Sequence, residues 1–111
     1  MYIKFMAIVE AETKEQFIEL IKNDKCVVDF YGTWCDPCKI LMKNMDKVAE
    51  AHSDVTIIKV DVNELDNVSE MFNVTSIPHL VFFKKGKLQK DYLQTSDYEV
   101  LIAHMKKIFN D

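Results

Sequence analysis

The chain has 111 residues, a formal net charge of -4 and 49% apolar residues, which fits one domain whose core stands without staples. The acidic balance argues against a nucleic-acid partner, and three cysteines are too few for a disulfide framework and suit a reducing compartment. No apolar run is long enough to span a membrane, and the one at Met1-Tyr2-Ile3-Lys4-Phe5 is too short for a signal peptide, so the expectation is a single cytoplasmic, monomeric domain over residues 1–111, with no membrane and no nucleic acid among its partners.

Tyr2 to Val9 is rich in β-formers and reads as a strand. Thr13 followed by Gln16 is a capping-box pattern, and Phe17, Leu20 and Ile21 give the apolar face of a helix over Thr13 to Lys22. Asn23-Asp24-Lys25 is a turn. Cys26 to Tyr31 is apolar except at Asp29, as a central strand covered on both faces should be. Leu41 to Ala51 reads as a helix with Leu41, Met45, Val48, Ala49 and His52 in one stripe; the methionines read as core filler, and His52 as a group serving the helix end. Val55 to Val60 is a β-branched strand. Asn63 is placed to cap a short helix burying Leu65, Val68 and Phe72.

After the polar loop Asn73-Val74-Thr75-Ser76, Leu80 to Phe83 reads as a strand, Lys84-Lys85-Gly86-Lys87 as a hairpin turn, and Leu88 to Leu93 as its antiparallel return. The turn lysines read as protection of a sheet edge. Ser96 with Glu99 is a second capping box, ahead of a helix turning Val100, Ala103, Met105, Ile108 and Phe109 inward. The order β-α-β-α-β-α-β-β-α is an α/β class: a mixed sheet of about five strands flanked by four helices, parallel first with right-handed crossovers, then closed by a hairpin.

The chemistry concentrates in Trp34-Cys35-Asp36-Pro37-Cys38, between the central strand and a helix start. First-turn N–H groups lack helical partners and carry partial positive charge, which favours a thiolate, the reactive form of cysteine. Pro37 suits a first turn because its φ is already helical. A zinc site would need a second ligand pair, and among Cys26, His52, His79 and His104 no two are spaced as one. A structural disulfide closing so short a loop would constrain the unfolded chain little. Redox chemistry is the reading that remains strong, with no metal.

Cys35, nearer the helix start, reads as the nucleophile. Cys38, one turn in, reads as the sulfur that resolves the mixed disulfide and must lose a proton to do so. Asp29, a carboxylate in an apolar strand just upstream, is the candidate base, since burying an acid without a partner is costly. Trp34 reads as an apolar lip beside Cys35.

The run Asp29-Phe30-Tyr31-Gly32-Thr33-Trp34-Cys35-Asp36-Pro37-Cys38-Lys39 resembles the active-site stretch of the thioredoxin family, and Ile77-Pro78 and Lys84-Lys85-Gly86-Lys87 fall where that family has its cis-proline and its hairpin turn. The resemblance covers essentially the whole chain and implies the thioredoxin fold and a protein-disulfide reductase. It implies that Asp29 serves cysteine proton transfer with Lys59 beside it. It also implies that Ile77 before cis Pro78 offers backbone to a substrate strand, a sequence-blind mode of recognition, with Trp34 and Gln94 bordering that groove.

No cofactor is expected on the chain itself; electrons would come from NADPH through a thioredoxin reductase, and go to disulfide proteins such as a peroxiredoxin or ribonucleotide reductase. The rivals are a thiol oxidase or isomerase of the same fold, told apart by redox potential, and a redox-insensitive scaffold, which would keep its activity without Cys35 and Cys38. The chain departs from the family pattern at Asp36 (usually glycine), Lys43 (often proline), Gln94 (glycine), His79 (often threonine) and Tyr31 (often tryptophan). Asp36 and Pro37, inside the pair, are the expected tuners of its redox balance.

Overall fold

In chain order the computed structural model, which describes residues 8–109, contains β1 (Ile8–Glu10), α1 (Lys14–Leu20), β2 (Lys25–Tyr31), α2 (Asp36–Ala51), β3 (Thr56–Asp61), α3 (Asp66–Met71), β4 (His79–Lys84), β5 (Lys87–Leu88) and α4 (Tyr98–Phe109). The strands form one sheet in the order β1-β3-β2-β4-β5. β1 and β2 run parallel to β3, and β4 runs antiparallel to β2 and β5. The expected strand from Tyr2 is seen from Ile8; its earlier part lies outside the described residues.

β2 is central because its side chains suit burial on both faces. Val28 and Phe30 join Ile58, Val60, Phe17 and Phe83 in one core layer, and Val27 joins Ile57, Leu80, Phe82, Leu41 and Met45 in the other. The second layer packs beneath α2 and α4, so whatever β2 points that way lies under the helix that begins at the cysteines. Thr13 caps α1 as expected, its Oγ1 accepting the Gln16 N–H at 3.0 Å. Gln16 reaches back one residue further than a standard box, to the Glu12 N–H at 2.7 Å.

Four local expectations are corrected. Asn63 does not cap α3: Asp61 Oδ1 accepts the N–H groups of Asn63 (2.8 Å) and Glu64 (3.3 Å), because β3 ends at Asp61 and its side chain reaches the turn first. Ser96 does not cap α4; Asp97 Oδ1 accepts the Val100 N–H at 3.0 Å, and the Ser96 carbonyl accepts from Asn44 Nδ2 at 2.7 Å. Leu101, Met105 and Phe109 therefore face the core, while Val100 and Ala103 are exposed. The return strand is not continuous from Leu88 to Leu93. A straight continuation of the Phe83–Leu88 register would set Leu80 opposite Asp91, yet Leu80 pairs with Leu93, two residues later. The extra length lets Tyr92 leave the ladder and stack on His79, ring centroids 4.7 Å apart.

At the hairpin, Lys85 (φ 53°) and Gly86 (φ 79°) both take positive φ, the conformation that a two-residue connection needs and that glycine adopts at least cost.

Candidate active site

Cys35 is the N-cap of α2: its backbone is extended (φ -91°, ψ 109°), and its sulfur accepts the Cys38 N–H at 3.2 Å. One otherwise orphaned first-turn donor is thus aimed at sulfur, where it favours negative charge. Pro37 occupies the first turn, and α2 continues unbroken through Lys43 to Ala51. Cys35 and Cys38 are joined by a disulfide, with Cα atoms 5.2 Å apart, so the structure holds the oxidised form. Cys35 keeps 7% of its surface exposed and Cys38 only 1%.

The loop 75–78 closes over the pair. The Ile77–Pro78 peptide bond is cis, and the Ile77 carbonyl oxygen lies 3.9 Å from Cys35 Sγ. Trp34, 58% exposed, lines with Val62, Val74, Thr75, Ser76 and Ile77 a cavity of about 140 Å³. Its indole lies over Gly32, where a Cβ would come within 2.6 Å of the ring; the glycine is what allows the ring to lie flat on the chain.

Gln94 also belongs to this rim. Its Nε2 donates to Ser76 Oγ at 2.8 Å and lies 3.3 Å from His79 Nδ1, so it ties the last loop to the proline loop. Burial holds the His79 ring below its ordinary pKa, in keeping with a neutral imidazole between Phe30 and Tyr92.

Asp29 is fully buried, and among the described residues neither carboxylate oxygen has a hydrogen-bond partner. Desolvation, opposed by Lys59 and reinforced by Glu10, pushes its pKa up to about 7. Asp29 stands beside Lys59 in the sheet register, and Lys59 stands beside Glu10. The ammonium nevertheless lies 3.6 Å from Glu10 and 5.0 Å from the centre of the Tyr31 ring. Tyr31 donates its hydroxyl to Glu10 at 2.9 Å, and burial first, then Glu10, pushes its own pKa upward.

Glu10 was not legible as a site residue in the sequence. The available signal was its alternation with Ile8 at the end of an edge strand, which gives a face but not a partner. Asp36 is exposed and 3.7 Å from Lys39 Nζ. Cys26 is apart from all this: it is buried, its Sγ donates to the Leu20 and Asn23 carbonyls at 3.4 and 3.5 Å, and burial pushes its thiol up to about 11, so it is an inert core thiol. Among the described residues no three His, Cys, Asp or Glu side chains are grouped to hold a metal ion, and no helix is long and apolar enough to cross a membrane.

This geometry has relatives. The thioredoxin family model matches residues 8–107. A thioredoxin from Chlamydia trachomatis is 33% identical over 99 residues, covering 89% of this chain and 97% of that protein. The crystal structure of oxidised mitochondrial thioredoxin 3 from Saccharomyces cerevisiae superposes with a TM-score of 0.84 at 34% identity, covering 91% of this chain and 95% of that one. A yeast structure from work on thiol resolution in a mitochondrial 1-Cys peroxiredoxin via glutathione/thioredoxin systems gives 0.83 at 34% identity, covering 90% and 94%. With that match over nearly its whole length and a closed Cys35–Cys38 pair at the head of α2, the chain belongs to the thioredoxin family and is an oxidoreductase of dithiol–disulfide exchange.

Proposed function

We propose that the chain is a general protein-disulfide reductase, a single domain working in the cytoplasm and recharged by an NADPH-dependent thioredoxin reductase. The observation that carries this reading is the disulfide itself: one cysteine is the N-cap of α2 and keeps 7% of its surface exposed, and the other, one turn in, keeps 1%. Reduced Cys35, as thiolate, attacks one sulfur of a substrate disulfide; that bond breaks, and the other substrate sulfur leaves as a thiolate. Cys38 gives its proton to Asp29 and attacks Cys35 Sγ. The mixed disulfide breaks, the second substrate sulfur leaves with the electron pair, and Cys35–Cys38 is closed again. Two electrons have passed to the substrate.

In this reading the substrate segment lies along Ile77 and Pro78 by main-chain pairing. Trp34 forms one wall of the groove and Gln94 braces the opposite rim through Ser76. Lys59 lies near enough to Asp29 to influence its charge, while Asp36 and Pro37 adjust the Cys35 sulfur. A peroxiredoxin or a ribonucleotide reductase has the kind of disulfide this site would reduce; the yeast neighbour from the 1-Cys peroxiredoxin work supports the first.

The test is insulin reduction followed by turbidity, with NADPH and thioredoxin reductase as electron source. Catalysis lost on replacing both Cys35 and Cys38 by Ser is expected. Activity kept by that double variant would identify a scaffold, and net oxidation of reduced substrates in glutathione buffer would identify an oxidase.

A further inference from the structure

Register places a row of charged side chains across one face of the sheet. Glu10 of β1 stands beside Lys59 of β3, Lys59 beside Asp29 of β2, and Asp29 beside the apolar Leu80 of β4. Paired residues in a ladder point to the same face, and this face is the one covered by α2. Lys59 therefore has a carboxylate on either side. It is drawn to Glu10, at 3.6 Å, with its ammonium 5.0 Å from the centre of the Tyr31 ring, a favourable place for a cation. The Tyr31 hydroxyl anchors the same carboxylate, 2.9 Å from each Glu10 oxygen. Glu10 and Tyr31 thus form a holder for the lysine on the solvent side of the row, while both Asp29 oxygens remain without a hydrogen-bond partner among the described residues.

We propose that Glu10 and Tyr31 are positioning residues of the proton-transfer site: they hold the Lys59 ammonium toward β1, so that Asp29 meets the Cys38 thiol without a close ion pair. This rests on the reading of Asp29 as the base for Cys38. In the reaction the Cys38 proton passes to the Asp29 carboxylate, giving a carboxylic acid and a thiolate. The thiolate displaces the substrate sulfur from Cys35, and Asp29 later returns its proton to solvent.

A lysine paired directly with Asp29 would hold that carboxylate in its charged form and make it a weak base. A lysine engaged elsewhere leaves desolvation to dominate, as the raised pKa of Asp29 and its three causes agree. Lys59 and Glu10 are the charged groups that act on Asp29; Tyr31 stands on its own strand within electrostatic reach, β4 adds the apolar Leu80, α2 covers this face with Leu41 and Met45, and α4 brings His104 to Phe82, further along β4. None of these offers a second cation to take the place of Lys59.

The experiment follows the Asp29 carboxyl carbon by NMR through a pH titration of the reduced protein, in wild type, Glu10→Gln, Tyr31→Phe, Lys59→Met and the Glu10→Gln/Lys59→Met pair. Glu10→Gln frees the lysine and should lower the Asp29 midpoint by about one unit. Tyr31→Phe keeps the ring and loses only the anchor, so it should lower it by less. With Lys59 replaced by Met, the effect of Glu10→Gln should fall by more than half, leaving only the loss of a like charge. An unchanged or raised midpoint in Glu10→Gln, or an equal fall with and without Lys59, would overturn the proposal.

The pH profile of insulin reduction, run on the same variants, separates this from the role of Asp29 itself. A midpoint that moves while the profile stays fixed supports the holder and rejects Asp29 as the base. A midpoint and profile that fall together support both.

Discussion

The Trp34 indole occupies the space that a Cβ on Gly32 would need, with its ring atoms 2.6 to 2.8 Å from that position. The ring can sit there because the residue two before it has no side chain, and from there it forms one wall of the cavity it shares with Ile77. Gly32→Ala should therefore lift the indole while leaving the fold intact, at a cost of about 1 kcal/mol or less. Trp34 is the one tryptophan of the chain, so its fluorescence reports the displacement directly. Protein-disulfide reduction should fall about three- to tenfold, and reduction of a small aromatic disulfide should change little. Equal losses on both substrates would mean that the ring does not serve the groove.

Cys35 keeps 7% of its surface exposed and Cys38 only 1%, which is the basis for expecting Cys35 to attack and Cys38 to resolve. Cys38→Ser should accumulate mixed disulfides with partner proteins, visible on non-reducing gels, and Cys35→Ser should not. Equal trapping by the two variants would reject the assignment.

For Asp29 the unfolded pKa is near 3.8 and the folded one about 7, so the folded chain binds this proton more tightly than the unfolded chain. The contribution to stability is full below the unfolded value and is lost as pH rises through about 7. By pH 8 the loss is on the order of 4 kcal/mol. Asp29→Asn keeps the shape and carries no charge. It should match the wild type in urea unfolding at low pH and exceed it at pH 8, while resolving mixed disulfides more slowly. A variant that is fully active and no more stable at pH 8 would refute this.

Asp36 sits next to Cys35 with its carboxylate 3.7 Å from Lys39 and both side chains largely exposed. Replacing it by Gly removes a like charge from beside the reactive sulfur, which favours the reduced thiolate and makes the protein more oxidising. Solvent and the lysine screen the effect, so a shift of about threefold or less in the equilibrium with glutathione is expected. It should shrink in 1 M salt. A shift that is absent at low salt would show that Asp36 tunes nothing.

Much of this protein is local in origin and was open to reading from the chain alone. The buried central strand follows from the apolar run Cys26–Phe30, the start of α1 from Thr13 and Gln16, and the tight hairpin from Gly86. The redox pair follows from two cysteines one helical turn apart with a proline between them. Each of these depends on residues close in sequence, whose propensities and spacing act whatever the rest of the chain does.

Other features required the folded sheet. Asp97 rather than Ser96 caps α4, and the Ser96 carbonyl is held by Asn44 from α2. The break in the return strand goes with the stacking of Tyr92 on His79, thirteen residues apart in sequence and adjacent only in space. Most of all, the family resemblance implied Lys59 beside Asp29, but the partner of the lysine is Glu10. That competition between two carboxylates is settled by strand register and by the reach of the Tyr31 hydroxyl. Register brings together residues 19 and 30 positions apart (Glu10, Asp29, Lys59), a separation over which no local periodicity carries information.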